Sequence, residues 1–316
     1  MIRDFEPLSL SRRQVLGAGL GGSAMLLAGC IGDDDSGGGG GPSAVAGSFF
    51  VLYDFARQVA GDRLIVSDLV PVGSHGDDYE PSPGVVLDAA ASDIFLYIGG
   101  FQSWADNLAS TLEDDYPDMV VLDAASRIDY IEGHGDRPLD PHFWLDPQRS
   151  ITAIETIRDG FIDADPDGAT TYEDGAEDLI DRIDLLDADL IDVFDRRTRD
   201  MIVVASHNSF GYWTERYGIE IYSPIGLSPD AEPTPQARAE VSSIVEEYHI
   251  EYLLYDMYES TRLAEQLADE TDTDLLPLSP IEATTQEQYD DGWGYVEHMQ
   301  EINLPSLYEA LGVNGE

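Results

Sequence analysis

The sequence predicts an α/β fold with two Rossmann-like α/β lobes joined by one long rigid α-helix. Apolar runs of strand length alternate with helical patterns in both halves of the chain, as in proteins with mostly parallel sheets. One long amphipathic helical pattern separates the two halves. The chain has 316 residues, and at about 100–200 residues per domain this length corresponds to two domains.

Each lobe is predicted from four candidate strands. They are Ser48–Tyr53, Leu64–Leu69, Ile94–Ile98 and Met119–Leu122 in the first half, and Met201–Ala205, Glu220–Ser223, Tyr252–Tyr255 and Asp274–Leu278 in the second. The connecting helix is predicted from an apolar stripe at helical spacing, formed by Leu179, Ile183, Leu186, Leu190 and Val193. Asp165 and Pro166 supply its N-cap and first-turn proline. The expected boundaries are 47–165 for the N-terminal lobe, 166–198 for the connecting helix and 199–316 for the C-terminal lobe.

Carboxylates dominate the charge of the chain. It contains 63 acidic and 16 basic residues, all of the latter arginine, for a net charge of −47. The absence of lysine excludes a P-loop, a Schiff base and pyridoxal phosphate chemistry. Nucleic acid is excluded as a partner because no basic patch is available for its phosphates. The spread of acids along the chain is similar to that of proteins from extreme halophiles, and it predicts unfolding in dilute buffer, where charge repulsion is poorly screened.

The first 46 residues are predicted to direct export and anchoring. Ser11–Leu16 contains a twin-arginine signature, and the apolar stretch behind it is shorter than the ~20 residues that a transmembrane helix needs. Leu27–Cys30 resembles a lipobox, whose cysteine becomes the lipid-modified first residue. We therefore interpret residues 1–29 as a twin-arginine signal peptide, and residues 30–46 as a lipid-anchor Cys30 followed by a flexible linker. The expected location is the extracellular face of the cell membrane.

Two of the six histidines lie in distinctive contexts. His142 lies in a stiff loop between two Asp-Pro pairs, the second of which starts a helix. His207 directly follows a predicted strand. Two further polar segments follow strands, one with His75 and Asp77 and one with Glu282. Because ligands of open α/β sheets bind at the carboxyl ends of strands, we expect these segments to meet in a cleft between the lobes.

Imidazole and carboxylate groups together predict a site for zinc, manganese or iron. The motifs around these residues resemble those of the metal-specific (zinc/manganese) solute-binding lipoproteins of ABC importers, here of a haloarchaeal type. The resemblance runs from about residue 47 to 311. It is carried by Asp140–Pro147, Ser206–Trp213, Arg216–Gly218, Tyr79–Pro83 and Pro229–Pro235. It implies a metal in the interlobe cleft and delivery to a membrane permease driven by a separate ATPase.

The resemblance also implies the metal ligands. His142 matches the second ligand of the family, and His207 matches the third, where zinc-type members tend to have histidine. The position of the first ligand is occupied by Asp77, with His75 two residues earlier. The position of the fourth is occupied by Ser279, with Glu282 as the nearest carboxylate, so Glu282 or water would complete the site. The histidine-rich loop of the family is reduced to His134.

The leading interpretation is therefore a monomeric binding protein without enzymatic turnover, with zinc favoured as cargo and manganese or iron possible. A second interpretation is a metal-dependent hydrolase with an open zinc position. No H-E-x-x-H or G-x-S-x-G motif supports it. A third is the same scaffold binding a non-metal solute through a stacking pocket made of Tyr79, Trp104, Trp144, Tyr212 and Trp213.

Overall fold

Two four-stranded sheets, both entirely parallel, form the frame of the molecule in a computed structural model that describes residues 41–76, 79–133, 137–227 and 233–313. The first sheet has the order β2-β1-β3-β4 and the second β6-β5-β7-β8. The strands are β1 (Ala44–Gly47), β2 (Ile65–Asp68), β3 (Ile94–Tyr97), β4 (Val120–Asp123), β5 (Met201–Val204), β6 (Glu220–Tyr222), β7 (Tyr252–Asp256) and β8 (Asp274–Leu278). The predicted fold class is confirmed.

The first strand was predicted wrongly. The structure has β1 at Ala44–Gly47 and a helix, α1 (Phe50–Ala60), where the sequence predicts the strand Ser48–Tyr53. A short apolar run is compatible with a buried helix as well as with a strand, and the residues of α1 are buried on most sides. Since β1 lies at the end of the segment 30–46, the first sheet begins inside the predicted linker rather than at position 47.

The helices cover both faces of the two sheets. One face of the first sheet packs against α2 (Pro83–Ala91) and α3 (Ser103–Asp115), and one face of the second against α7 (Pro235–Tyr248) and α8 (Arg262–Thr271). The other faces share one continuous core. The helices of that core and the short helices beside it are α1, α4 (Pro147–Ala164), α5 (Ala169–Asp195), α6 (Gly211–Tyr217), α9 (Gln286–Asp290), α10 (Tyr295–His298) and α11 (Leu304–Ala310), with a π-helical turn at Met299–Asn303.

The long helix α5 connects the two lobes. Its buried stripe includes the predicted Leu179, Ile183 and Leu190. It begins at Ala169 rather than Pro166, because Pro166–Gly168 forms a separate 3-10 turn. No helix in the described part of the chain has the length and apolar composition needed to cross a bilayer.

Candidate metal centre

Four side chains converge from the carboxyl ends of strands in both lobes, where ligands of open α/β sheets bind. His75 lies in the loop that follows β2, and His142 precedes a 3-10 turn (Phe143–Leu145) after β4. His207 follows β5 and Glu282 follows β8. The side chains of His142, His207 and Glu282 are buried, whereas that of His75 is 15% exposed.

Glu282 lies at the centre of the group. Its Oε1 atom is 3.2 Å from Nε2 of His142 and 3.6 Å from Nε2 of His207. Its Oε2 atom is 3.0 Å from Nδ1 of His75. The ring centroid of His207 lies 5.4 Å from that of His142 and 5.7 Å from that of His75.

These five inward-facing atoms are buried, and none of them makes a hydrogen bond of acceptable geometry. Buried polar groups in folded proteins are almost always paired, so five unpaired atoms at one point need an explanation. A divalent cation between them would bind the three nitrogens and the Glu282 carboxylate. Three imidazole nitrogens and one carboxylate are a donor set that suits tetrahedral zinc.

The second nitrogen of each histidine faces a further carboxylate. His142 Nδ1 lies 2.6 Å from Asp140 Oδ1, and His207 Nδ1 hydrogen-bonds Glu259 Oε1. His75 Nε2 lies 3.3 Å from Asp256 Oδ2. When these nitrogens carry the protons, the opposite nitrogen of each ring presents a lone pair to the centre.

The carboxylates control the charge of the histidines in the metal-free protein. Burial opposes the charged ring of His75, but Glu282 and Asp256 outweigh that effect and raise its pKa to about 11. Burial likewise opposes the charge on His207, and Glu259 and Glu282 raise its pKa to about 10. Burial would raise the pKa of Glu282, but the three histidines hold it well below its usual value. Without metal, protonated histidines therefore place positive charge next to the Glu282 carboxylate, at the point where a bound cation would place it.

The segment with His142 is attached to the C-terminal lobe. Tyr212 Oη donates a hydrogen bond to the carbonyl of Asp140 (2.8 Å), and Trp213 Nε1 donates one to the carbonyl of Leu145 (2.9 Å). Trp144 Nε1 donates to the carbonyl of Pro280, at 2.7 Å. Because Pro280 is two residues from Glu282, the same bond links the loops of two metal-facing side chains.

The remaining predicted site residues have different positions. Asp77 and His134 lie outside the described residues. The hydroxyl of Ser279 is bonded to a residue outside the metal-facing group: its Oγ is 3.0 Å from Nδ1 of His298. Of the five aromatic residues proposed as a stacking pocket, Trp144, Tyr212 and Trp213 are fully buried in the core, so they do not line an open pocket.

Three residues at the centre were missing from the predicted site: Asp140, Asp256 and Glu259. Asp256 ends a strand and Glu259 follows it, so the rule that found His207 and Glu282 could have found them. Asp140 belongs to the Asp-Pro-His motif, but the sequence analysis treated it as a loop residue and not as a partner of His142.

The model of the protein family described as "Zinc-uptake complex component A periplasmic" matches residues 45–310. The chain belongs to this family. It is 30% identical over 283 residues to the zinc-binding lipoprotein AdcA of Streptococcus pneumoniae, covering 86% of this chain and 56% of AdcA. The chain thus spans about half the length of that curated relative. It is 26% identical over 281 residues to the high-affinity zinc uptake system protein ZnuA of Bacillus subtilis, covering 84% of this chain and 87% of ZnuA.

Solved structures of this family have the same fold. The Zn(II)-bound ZnuA-like domain of S. pneumoniae AdcA superposes with a TM-score of 0.74 at 30% identity, covering 86% of this chain and 99% of that domain. The metal-dependent lipoprotein YcdH of B. subtilis superposes with a TM-score of 0.75 at 26% identity, covering 85% and 99% of the two chains. The two-lobe architecture with a long connecting helix is therefore that of the family.

Proposed function

We propose that the protein captures zinc between its two lobes and delivers it to an ABC importer made of a permease and an ATPase. The observation that carries the proposal is the convergence of five unpaired buried atoms on one point, from three histidines and Glu282. The family is a component of zinc uptake, and the relative AdcA is a zinc-binding lipoprotein. Zinc is preferred over manganese because three of the four donor groups are imidazoles, which suit zinc, whereas manganese favours carboxylate oxygens.

A competition titration tests this proposal. Purified protein in molar sodium chloride is titrated with zinc in the presence of a chromophoric chelator, and then with manganese and iron(II). We expect one zinc per chain, with no displacement by equimolar manganese or iron. Displacement of zinc by manganese at that ratio would contradict zinc as the cargo.

We propose His75, rather than Asp77, as the first ligand. The support is the position of Nδ1 of His75, which is unpaired and 3.0 Å from Oε2 of Glu282. His75→Ala should weaken zinc binding at least a hundredfold because it removes a neutral nitrogen donor. Asp77→Ala is the matched control, with affinity close to wild type. The reverse result would assign the ligand to Asp77.

The hydrolase alternative is not supported. Catalytic zinc sites keep a coordination position open for water, whereas here four protein donors face one point. The family takes part in zinc uptake and is not a family of enzymes. We therefore retain the binding function alone.

The proposed location is the extracellular face of the membrane, with export by the twin-arginine route and a lipid on Cys30. Ser11–Leu16 and Leu27–Cys30 support this proposal, and the relative AdcA is a lipoprotein. Cys30→Ser should release a monomeric, zinc-binding protein into the medium. Substitution of Arg12 and Arg13 by alanine should block export. Membrane retention of the Cys30 variant would contradict the anchor.

We also propose that the protein is adapted to concentrated salt, as its net charge of −47 suggests. At 1 M salt the Debye length is about 3 Å, so repulsion among surface carboxylates is short-ranged. The melting temperature should fall steeply between molar and millimolar salt. A constant melting temperature over this range would contradict the adaptation.

A further inference from the structure

We propose that Asp256 is a positioning residue of the C-terminal lobe that orients a zinc ligand of the N-terminal lobe, His75. This inference rests on the proposed zinc function. Asp256 is the last residue of β7, in the C-terminal lobe. His75, which it contacts, follows β2 in the N-terminal lobe.

Of the two nearby histidines, the Asp256 carboxylate hydrogen-bonds His75 alone, because Nδ1 of His207 is farther away and is paired with Glu259. The Oδ2 atom of Asp256 lies 3.3 Å from Nε2 of His75 and 3.9 Å from Nδ1 of His207. With the His75 proton on Nε2 and donated to Asp256, the lone pair of the ring lies on Nδ1. That is the unpaired atom facing Glu282. Carboxylates behind metal-binding histidines select the tautomer and increase the basicity of the ring in this way.

Asp256 is itself held rigidly. Its side chain is fully buried, and its Oδ1 atom accepts a hydrogen bond of 2.8 Å from the backbone nitrogen of Tyr258. Its own backbone nitrogen donates to Oγ of Ser206, at 3.2 Å. Since Ser206 directly precedes His207, Asp256 is fixed to the segment of one ligand while it orients another.

The other two carboxylates that contact ligand histidines, Asp140 and Glu259, each contact a histidine of their own loop or lobe. Asp140 lies two residues from His142 in the same loop, and Glu259 belongs to the same lobe as His207. Asp256 alone among these three reaches a histidine of the opposite lobe. Loss of the Asp256 carboxylate should therefore make the position of His75 less fixed, and so increase the rate at which zinc dissociates.

The test compares Asp256→Ala and Asp256→Asn with the control Asp54→Asn. Asp54 is also buried and also bonds across the molecule, accepting from the backbone nitrogen of Tyr295 (2.9 Å). Its hydrogen bonds go to Arg57, Gln58 and Tyr295, none of them a proposed zinc ligand. The measurements are zinc affinity by chelator competition, zinc release by stopped flow, the visible spectrum of the cobalt-loaded protein, and the melting temperature without metal.

We expect Asp256→Ala to lower zinc affinity about 10–100-fold, as removal of such partners does elsewhere, mainly through faster release. Asp256→Asn should recover part of the loss, because the amide oxygen can still accept the proton of His75. It also tests the proposal if the alanine variant fails to fold. The cobalt spectrum should shift in both variants, whereas Asp54→Asn should leave affinity, release and spectrum unchanged.

Two results would overturn the inference while wild-type protein binds zinc. One is wild-type affinity and release in both Asp256 variants. The other is a second zinc ion in the wild type that is lost in Asp256→Ala, which would make Asp256 a ligand of that ion. Failure of the wild type to bind zinc at all would instead reject the proposed function.

Discussion

The segments with His142 and His75 approach the same point under different constraints. His142 is buried, and three hydrogen bonds from Tyr212, Trp213 and Trp144 attach its loop to the C-terminal lobe. His75 follows the edge strand β2 and is the most exposed of the four metal-facing side chains. This difference indicates that His142, His207 and Glu282 form a fixed set of three ligands held by the C-terminal lobe. His75 completes the site from the N-terminal lobe.

The largest expected effect comes from removing two ligands of the fixed set. His142→Ala combined with His207→Ala removes two of three nitrogen donors and should abolish zinc binding, a loss of more than a thousandfold in a chelator competition. The melting temperature of the wild type should rise with added zinc because zinc binds the folded state more tightly than the unfolded chain. The double variant should show no such rise. Retention of tight zinc binding by this variant would refute the ligand assignment.

A smaller effect is expected from displacing the loop with His75. A Cβ atom on Gly76 would lie 2.3 Å from the ring of Phe49 and 3.4 Å from the carbonyl of Glu282, so the loop has to shift. Overpacking of this kind costs about 1–3 kcal/mol. Gly76→Ala should therefore weaken zinc binding about tenfold in the same titration.

Gly84→Ala, in the first turn of α2, is the control for that substitution. Its added Cβ would meet only Oγ of Ser82, at an ordinary 3.6 Å. Its zinc affinity should equal that of the wild type. Equal affinities for both glycine variants would mean that the position of His75 is not critical.

The smallest effect concerns a buried histidine outside the centre. Burial lowers the pKa of His298 to about 4, and the nearby Glu297 only partly opposes this. Its Nδ1 atom faces the hydroxyls of Ser279 and Tyr258 rather than a carboxylate. The ligand histidines, by contrast, face carboxylates and have raised pKa values.

Because the pKa of His298 is depressed in the folded state, the unfolded chain binds the extra proton first as the pH falls below ~6.5. Wild-type stability should thus decrease between pH 6.5 and about 4, relative to His298→Gln, by up to about 3 kcal/mol. Denaturant unfolding at several pH values measures this difference. Zinc affinity at pH 7 should be the same in both proteins. Parallel stability profiles would show that His298 is not buried as a neutral ring.

Much of the fold was predictable from local patterns. Ile94–Tyr97 and Met201–Val204 are apolar runs bounded by polar residues, and both are strands within one residue of the prediction. The stripe of α5 follows directly from helical periodicity. Ser48–Tyr53 was misread because an apolar run of that length has no period of its own, while the small residues of Ala44–Gly47 carry little strand signal.

The site was predictable only in part. His142 and His207 stand in motifs that position them at the ends of strands, so local sequence identified them. Which side chain of the loop after β2 faces the centre depends on the path of that loop between Phe49 and Glu282, which no local pattern encodes. The contact between Asp256 and His75 joins residues 181 positions apart, and only the packing of two lobes creates it.

X-ray absorption at the zinc edge tests the central claim most directly, on zinc-loaded protein in molar salt. The account predicts four-coordinate zinc with three imidazole nitrogens at about 2.0–2.1 Å and one carboxylate oxygen at about 2.0–2.2 Å. It also predicts that His75→Ala has one imidazole fewer. A six-coordinate, oxygen-only environment, or an unchanged imidazole number in His75→Ala, would contradict it.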